Sequence, residues 1–169
     1  MIAIEVVADA VISDDGQYRY LLTRMWRPAP APQLVFVMLN PSTADAATDD
    51  PTIRRCMRFA RDLGYGGIVV VNLFAYRATN PRRLLEVDDP VGPGNTAVLQ
   101  SIIGGARHDV VAAWGATGGQ FGREQAILVE HIATRRPLQQ LGHTKDGHPR
   151  HPLYVRADQP LEDRTAGYR

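Results

Sequence analysis

The stretch QLVFVMLNPSTADA (residues 33–46) combines an apolar run with an abrupt polar stop. An apolar run of this length, rich in Val and Phe, is typical of a strand that is buried on both faces. Because Pro41 has no N–H to donate to a neighbouring strand, the strand is predicted to end at Asn40. Ligands of open α/β sheets bind at the carboxyl ends of the strands, so Asn40 is a candidate binding residue. A simple turn explains Asn-Pro equally well.

The rest of the chain alternates between strand-like and helix-like segments. Further buried strands are predicted at 67–72, 109–114 and 137–141, and helices at 51–63, 81–85, 95–103 and 123–134. The first helix has an N-cap at Asp50, a proline at its first position and a stop at Gly64. Its predicted core face consists of Ile53, Cys56, Met57, Ala60 and Leu63. Strands that alternate with helices imply a mainly parallel sheet with right-handed crossovers.

The N-terminal part of the chain follows a different pattern. Segments 2–12 and 18–26 are strand-like and flank a turn signal, which predicts an antiparallel hairpin, and a stiff Pro-rich connector follows at 27–32. The predicted fold is a single α/β domain. It is a three-layer sandwich with a central, mainly parallel four-stranded sheet plus the N-terminal antiparallel hairpin. Its parts are the hairpin and connector (1–32), the α/β core (33–155) and a tail (156–169) that is expected to be poorly ordered.

Composition and charge narrow the class of protein. The chain has 169 residues, 44% of them hydrophobic and 22% charged, as in ordinary globular domains. Its net charge of +1 gives no general attraction to DNA, so binding to nucleic acid requires a local basic patch. The single cysteine, Cys56, excludes an internal disulfide and a Cys-rich zinc site and fits the reducing cytoplasm. No apolar run approaches the roughly 18 residues that span a bilayer, and the N-terminus lacks the basic region of a signal peptide. A cytoplasmic protein without a membrane segment is therefore expected.

The predicted strand ends are all expected to lie at one edge of the sheet. They carry Asn40-Pro41-Ser42, Asn72-Leu73-Phe74, Trp114-Gly115 and the loop 143–154. Because parallel strands end at the same edge, polar groups that are far apart in the chain are expected to meet there. This convergence is a stronger argument for a binding site than any single motif.

The same motifs resemble those of known families. The strand followed by Leu-Asn-Pro-Ser resembles the first motif of the uracil-DNA glycosylase superfamily, in which the mismatch-specific branch has Gly-Ile-Asn-Pro-Gly. Asn72, Trp114-Gly115 and His151-Pro152-Leu153 follow in the order of the later motifs of that superfamily. Over residues 38–154 the chain is similar to DUF1643, a family of uncharacterised bacterial and phage proteins. The shared segments are LNPSTADA, DDPTIRRC, NLFAYRATNP, DPVGPGN, AWG and GHPRHPLY.

The glycosylase resemblance implies a uracil-DNA glycosylase-like sheet and a role for each candidate residue. Such enzymes flip a base into a pocket, read its edge and direct a water at C1′ of the sugar. Asn40 would orient the water, and His151 would donate to the leaving base or to a phosphate. Asn72 would read a pyrimidine edge through its amide donor and acceptor. The other implied contacts are Pro41, Ser42, Phe74, Tyr76, Trp114, Gly115 and Pro152 for the nucleoside, with Phe74 or Tyr76 stacking on the base, and Arg54, Arg58 and Arg150 for phosphates. No metal or cofactor is implied, and the expected partner is a nucleobase, a nucleotide or DNA.

Two positions depart from the glycosylase motifs. Ser42 replaces a glycine that lets the backbone approach the substrate, and Leu153 replaces a serine whose hydroxyl contacts a phosphate. The alternative function is therefore a non-catalytic module that binds a nucleotide or a modified base, and a third is a hydrolase of an unrelated substrate. An open groove flanked by Arg54, Arg58 and Arg150 favours a polynucleotide, whereas a closed pocket favours a free small molecule.

Three further groups of polar residues could bind phosphate or a metal, but each also has a simpler structural explanation. They are a basic helix face (Arg54, Arg55, Arg58 and Arg61), an acidic loop (Asp45, Asp49 and Asp50) and a histidine-rich loop (His143, His148 and His151). The basic face can contact phosphates, but such faces more often meet solvent. The acidic loop suits helix capping and solvation better than a divalent metal. The histidine spacing matches no strong zinc signature.

Overall fold

One mixed sheet forms the centre of the protein. The computed structural model describes residues 5–105, 108–133 and 138–164. Its sheet has seven strands in the order β1-β2-β4-β3-β5-β6-β7. The strands are β1 (Val7–Ile12), β2 (Arg19–Met25), β3 (Gln33–Met38), β4 (Gly67–Asn72), β5 (Val110–Ala112), β6 (Gln139–Gln140) and β7 (Glu162–Asp163). β4, β3, β5 and β6 are parallel to one another, whereas β1, β2 and β7 pair antiparallel at the two edges.

The mixed α/β class is confirmed and β1 pairs with β2 as the predicted antiparallel hairpin, but the sheet has seven strands rather than four. β2 pairs with β4, with Leu22 opposite Val70, so the hairpin continues the central sheet. At the other edge β7 forms within the segment that was expected to be a poorly ordered tail, and it pairs with β6. Both additions supply hydrogen bonds to strand edges that would otherwise be unpaired. Residues 165–169 of that segment lie outside the described residues.

Three of the parallel strands are shorter than the sequence predicts, whereas β4 has the predicted bounds 67–72. β3 ends at Met38 rather than Asn40, although the carbonyl of Leu39 still accepts a hydrogen bond from Phe74 N at 3.0 Å. β5 spans Val110–Ala112 where 109–114 was predicted, and β6 spans Gln139–Gln140 where 137–141 was predicted. The predicted strand start at 2–4, the helix end at Thr134 and the strand start at Pro137 lie outside the described residues.

The helices are α1 (Pro51–Asp62), α2 (Asn95–Leu99), α3 (Gly115–Phe121) and α4 (Arg123–Ile132), with 3₁₀ turns at Pro81–Leu85 and Pro152–Tyr154 and a π turn at Gln100–Gly104. The start of α1 is confirmed: Asp50 Oδ1 accepts from Ile53 N at 2.9 Å, and Pro51 is the first helical residue. Leu63 was predicted to be buried but is 42% exposed, because it is the C-cap, where the chain leaves the helix. None of the described helices is long and apolar enough to cross a membrane.

Two apolar clusters cover the two faces of the sheet. Alternate residues of a strand face opposite sides, so Phe36 packs in one cluster with α1, whereas Val35 and Val37 pack in the other with α2 and α4. Val70 faces α1, and by the same alternation Asn72 faces that side at the end of β4. The polar end of β4 therefore lies beside the first turn of α1.

No helix was predicted between segments 109–114 and 123–134, but Gly118 and Gly119 lie there in α3. A Cβ on Gly118 would lie 2.5 Å from Trp114 Cδ1, and a Cβ on Gly119 would lie 2.1 Å from the His148 ring. These glycines therefore allow α3 to approach the Trp114 and His148 side chains, which local sequence rules do not reveal.

Candidate functional site

A pocket lies at the carboxyl ends of β3, β4 and β5. Its volume of about 690 Å³ is typical of small-molecule sites. β3 has β4 on one side and β5 on the other, so the order of the strands reverses at this point. Such a reversal is the usual place for a ligand in an open α/β sheet. The position of the pocket therefore agrees with the general rule that was applied to the sequence.

The pocket brings together predicted site residues from four separate segments. Those that line it are Asn40, Ser42, Asn72, Trp114, Gly115, Arg150 and His151. Pro41 and Pro152 are buried and directly follow Asn40 and His151 in the chain.

Two predicted stacking residues lie elsewhere. Phe74 is 7% exposed and belongs to the cluster that packs against α2 and α4. Tyr76 packs edge-on against Tyr18, with ring centroids 5.9 Å apart. After β4 the chain turns away towards β2, as the hydrogen bond from Arg19 N to the carbonyl of Ala75 shows. The aromatic rings that line the pocket are instead those of Trp114, which is 1% exposed, and Tyr154, which is 79% exposed.

Two of the arginines predicted to bind phosphate also lie outside the described lining. Arg54 donates from Nη1 to the carbonyl of Asp49 at 2.6 Å, and Arg58 lies 3.8 Å from Asp62 on the exposed face of α1. Arg55, assigned to the same basic face, points elsewhere and donates to the carbonyls of Pro152 and Val155. Only Arg150 of the predicted phosphate contacts borders the pocket, so an open groove flanked by all three arginines is not present.

Asn72 is the most unusual polar group in the lining. Its side chain is 1% exposed. Neither Nδ2 nor Oδ1 has a hydrogen-bond partner among the residues that the structure describes. A buried donor or acceptor without a partner costs about 1–3 kcal/mol. Asn72 therefore has both a donor and an acceptor available for a ligand.

Asn40 is held in one orientation by its own amide. Nδ2 donates to the carbonyls of Pro41 at 3.0 Å and Ala78 at 2.8 Å. Carbonyl oxygens can only accept, so the amide nitrogen must face them and Oδ1 must face the other way. No described residue donates to this Oδ1, which leaves it as an acceptor suited to a water or an N–H of a ligand.

His151 has a defined tautomer. Its Nδ1 accepts from Leu153 N at 3.2 Å and caps the 3₁₀ turn Pro152–Tyr154. A neutral ring that accepts at Nδ1 carries its proton on Nε2 and is a donor there. Burial lowers the pKa of His151 below its ordinary value, and the nearby Asp50 carboxylate opposes that shift only in part. The ring is therefore a neutral hydrogen-bond donor at pH 7.

This geometry predicts the titration of His151. Protonation places a proton on Nδ1 and breaks the turn cap, so an NMR titration of the imidazole is expected to give a pKa below about 6.5 and the Nε2–H tautomer above it. Because the pKa of His151 is lower in the folded protein than in the unfolded chain, protonation destabilises the fold. The contribution of His151 to the free energy of unfolding is therefore complete above its unfolded-state pKa and is lost as the pH falls through its folded-state pKa. His151→Gln should remove this pH dependence. A pKa above 6.5 or an Nδ1–H tautomer would contradict the assignment.

Sequence reasoning missed several lining residues, among them the charged residues Asp50, Arg19 and Lys145. Asp50 was assigned to the N-cap of α1 and to the acidic loop, but it also lines the pocket, where it influences the pKa values of Arg19 and His151. Arg19 is 2% exposed and lines the same pocket from the start of β2. Burial lowers the pKa of Arg19 to about 10, so its guanidinium remains charged at neutral pH. Its position in a strand gave no local signal, because only the antiparallel pairing of β2 with β4 brings it here.

The acidic and histidine-rich loops do not form a metal centre. No group of three or more His, Cys, Asp or Glu side chains within the described ranges is arranged to hold an ion. Asp45 Oδ1 accepts from Ala47 N and Thr48 N, both at 2.8 Å, and Asp49 pairs with Arg24 at 2.8 Å. His143 lies 3.1 Å from Glu162. These contacts are structural.

Comparisons with known proteins identify a family. None of the curated proteins and none of the solved structures matches the chain. A family model described as a protein of unknown function (DUF1643) matches residues 19–153. That segment runs from Arg19 to Leu153 and so contains the described pocket lining apart from Tyr154. The chain belongs to the DUF1643 family.

Proposed function

We propose that the pocket binds a nucleobase and hydrolyses the N-glycosidic bond that joins it to its sugar, in a nucleotide or in DNA. The observation that carries this proposal is the Asn72 amide, which is 1% exposed with no partner for either polar atom among the described residues. A nucleobase edge presents a donor and an acceptor side by side, and an amide can pair with both. Trp114, Met38 and Leu39 supply apolar surface for the flat ring.

The pocket also supports a glycosylase-like arrangement of the sheet. Asn40, Asn72, Trp114 and His151 come from separate strand ends, in the chain order of the glycosylase motifs, and line one cavity. This order and convergence support the proposal of a distant glycosylase relationship.

The proposed reaction assigns one step to each polar group. The oxygen of a water forms a bond to C1′ while the C1′–N bond breaks, and the electron pair of that bond leaves on the base. Asn40 Oδ1 orients the water, and the Asp50 carboxylate takes its proton. The Nε2–H of neutral His151 donates to the charge that develops on the base, which then takes a proton from solvent.

A base-release assay tests the function. Oligonucleotides with uracil, G·T mismatches, hypoxanthine or hydroxymethylated bases, and the corresponding free nucleotides, are incubated with the protein. Abasic sites are then cleaved with alkali, and free bases are separated by chromatography. We expect release, reduced about a hundredfold or more by Asn40→Ala, since a positioned catalytic group contributes at least that much.

Asn80→Ala is the matched control for Asn40→Ala. Asn80 is exposed and caps the 3₁₀ turn Pro81–Leu85 outside the described lining. This variant is expected to release base at the wild-type rate. Equal loss in both variants, or no release from any substrate by folded protein, would overturn the hydrolytic proposal.

The second candidate function is a non-catalytic module that binds a nucleotide or a modified base. The observation that favours it is that backbone N–H groups already occupy Asp50 Oδ1 and His151 Nδ1, so each group has one polar atom fewer for proton transfer. Saturable binding measured by thermal shift, without base release, would support this function over hydrolysis.

A further inference from the structure

Arg19 is a buried cation without a matching anion. Its side chain is 2% exposed, and Nη1 donates to the carbonyl of Ala44 at 2.8 Å. Its Nε has no partner within residues 5–105, 108–133 and 138–164, and no carboxylate of those residues lies within ion-pair distance. Burying a charge without a counter-charge is costly. The free energy is recovered when a ligand supplies the missing anion.

Arg24, on the same strand, shows what a structural arginine looks like in this protein. It is also 2% exposed, but its Nε pairs with Asp49 at 2.8 Å. Its other nitrogens donate to the carbonyls of Asp9, Thr23, Asp45 and Thr48. Arg24 is therefore saturated by the protein itself, whereas Arg19 is not, although both are equally buried.

The surroundings of Arg19 favour an anion. Thr52, in the first turn of α1, lines the same pocket, and the N-terminus of a helix carries partial positive charge. Lys145 and Arg150 line the pocket as well and are exposed to solvent at its rim. Among the described lining residues Asp50 is the one carboxylate, and its Oδ1 is already bound by Ile53 N.

We propose that Arg19 and the first turn of α1 bind a phosphate monoester, so that the ligand of this pocket is a free mononucleotide and not a nucleotide within a DNA strand. The guanidinium fork is suited to phosphate oxygens. A residue that is 2% exposed can be reached only by a group that enters the pocket. A terminal phosphate can enter, whereas an internal phosphodiester would have to bring both of its ester arms along.

The two recognition groups come from different strands and line one pocket. Asn72 lies at the end of β4, whereas Arg19 lies at the start of β2 and donates to the carbonyl of Ala44 in the loop after β3. The base half of this assignment rests on the proposed function, but the phosphate half rests on Arg19 and the first turn of α1. The assignment of the base site and that of the phosphate site can therefore be disproved independently.

Calorimetric titration of the full chain at low ionic strength tests the phosphate site. The probes are inorganic phosphate, the common deoxynucleosides, their 5′-monophosphates and an oligonucleotide without terminal phosphates. We expect at least one monophosphate to bind about tenfold or more tightly than its nucleoside, since hydrogen bonds to charged groups contribute roughly 1.5–3 kcal/mol. The oligonucleotide is not expected to compete.

Three variants locate the effect. Arg19→Gln is expected to abolish the preference for the monophosphate, and Arg19→Lys to keep part of it, because the cation remains but the fork is lost. Asp50→Asn keeps an N-cap acceptor but removes the negative charge, so it should strengthen phosphate binding. Arg58→Gln, on the exposed face of α1, is the control and should bind as the wild type does.

Several results would overturn the proposal. They are equal affinity of the wild type for nucleosides and monophosphates, no binding of inorganic phosphate or any monophosphate, and an unchanged preference in folded Arg19→Gln. If Arg19→Gln does not fold, the wild-type comparison and Asp50→Asn still decide. Base release from oligonucleotides with no preference for monophosphates would remove the phosphate site and leave the proposed hydrolysis standing.

Discussion

Asn72→Leu is expected to stabilise the protein while abolishing ligand binding. Leucine has nearly the shape of asparagine but no polar atoms, so the two unpaired groups of Asn72 are removed from the interior. The gain in the free energy of unfolding should be roughly 1–3 kcal/mol, which corresponds to about 2–4 °C in Tm for each kcal/mol in a chain of this size. Urea denaturation and base release, measured on the same preparation, check both halves of the prediction.

Asn95→Leu is the matched control for that substitution. Asn95 is 0% exposed and its Oδ1 has no partner among the described residues, but its Nδ2 donates to the carbonyls of Asn72 and Leu73 at 3.0 and 3.1 Å. Its removal leaves those carbonyls without their donor, so it should destabilise the protein by about 1–3 kcal/mol. The same substitution at two buried asparagines is thus expected to have opposite signs. A destabilisation of similar size at Asn72 would show that its amide is satisfied in solution and would weaken the binding site.

Arg24→Met is expected to cause the largest loss of stability of the variants considered. Its guanidinium pairs with Asp49 and donates to the carbonyls of Asp45 and Thr48, so it holds the loop between β3 and α1 against the sheet. Removing one partner of a buried pair costs about 3–5 kcal/mol, and the lower end is expected here because Asp49 is 29% exposed and stays in contact with water. Because the loop leads into Asp50 at the pocket, ligand binding should weaken as well. Equilibrium denaturation measures the first effect and calorimetry the second.

Arg58→Met tests whether the loss of stability expected for Arg24→Met is due to the burial of the Arg24 ion pair. Arg58 and Asp62 are 69% and 57% exposed and 3.8 Å apart, and exposed pairs of this kind contribute about 0–1 kcal/mol. Its stability should therefore be close to that of the wild type. A loss at Arg24 no greater than at Arg58 would mean that the loop does not depend on the buried arginine.

Helix α1 and strand β4, which border the pocket, could be predicted because their own residues mark where they begin and how they are buried. Asp50 and Pro51 mark the start of α1, and the Val-rich segment of β4 is buried along its whole length. Such signals are local, since they depend on caps, proline geometry and the spacing of apolar residues. They fail where packing decides: Leu63 continues the apolar face of α1 in sequence, but the helix has already ended there.

The α/β class, the position of α1 and the meeting of Asn40, Asn72 and His151 at one edge of the sheet could be inferred from the chain alone. Strand direction follows from the alternation of strands and helices. The pairing of β2 with β4 and the turn of Phe74 into the core are visible only in the folded chain. These placements depend on pairings between segments that are far apart in the chain. For the same physical reason, only the folded chain distinguishes Arg19, which is buried without a counter-charge, from Arg24, which the protein satisfies.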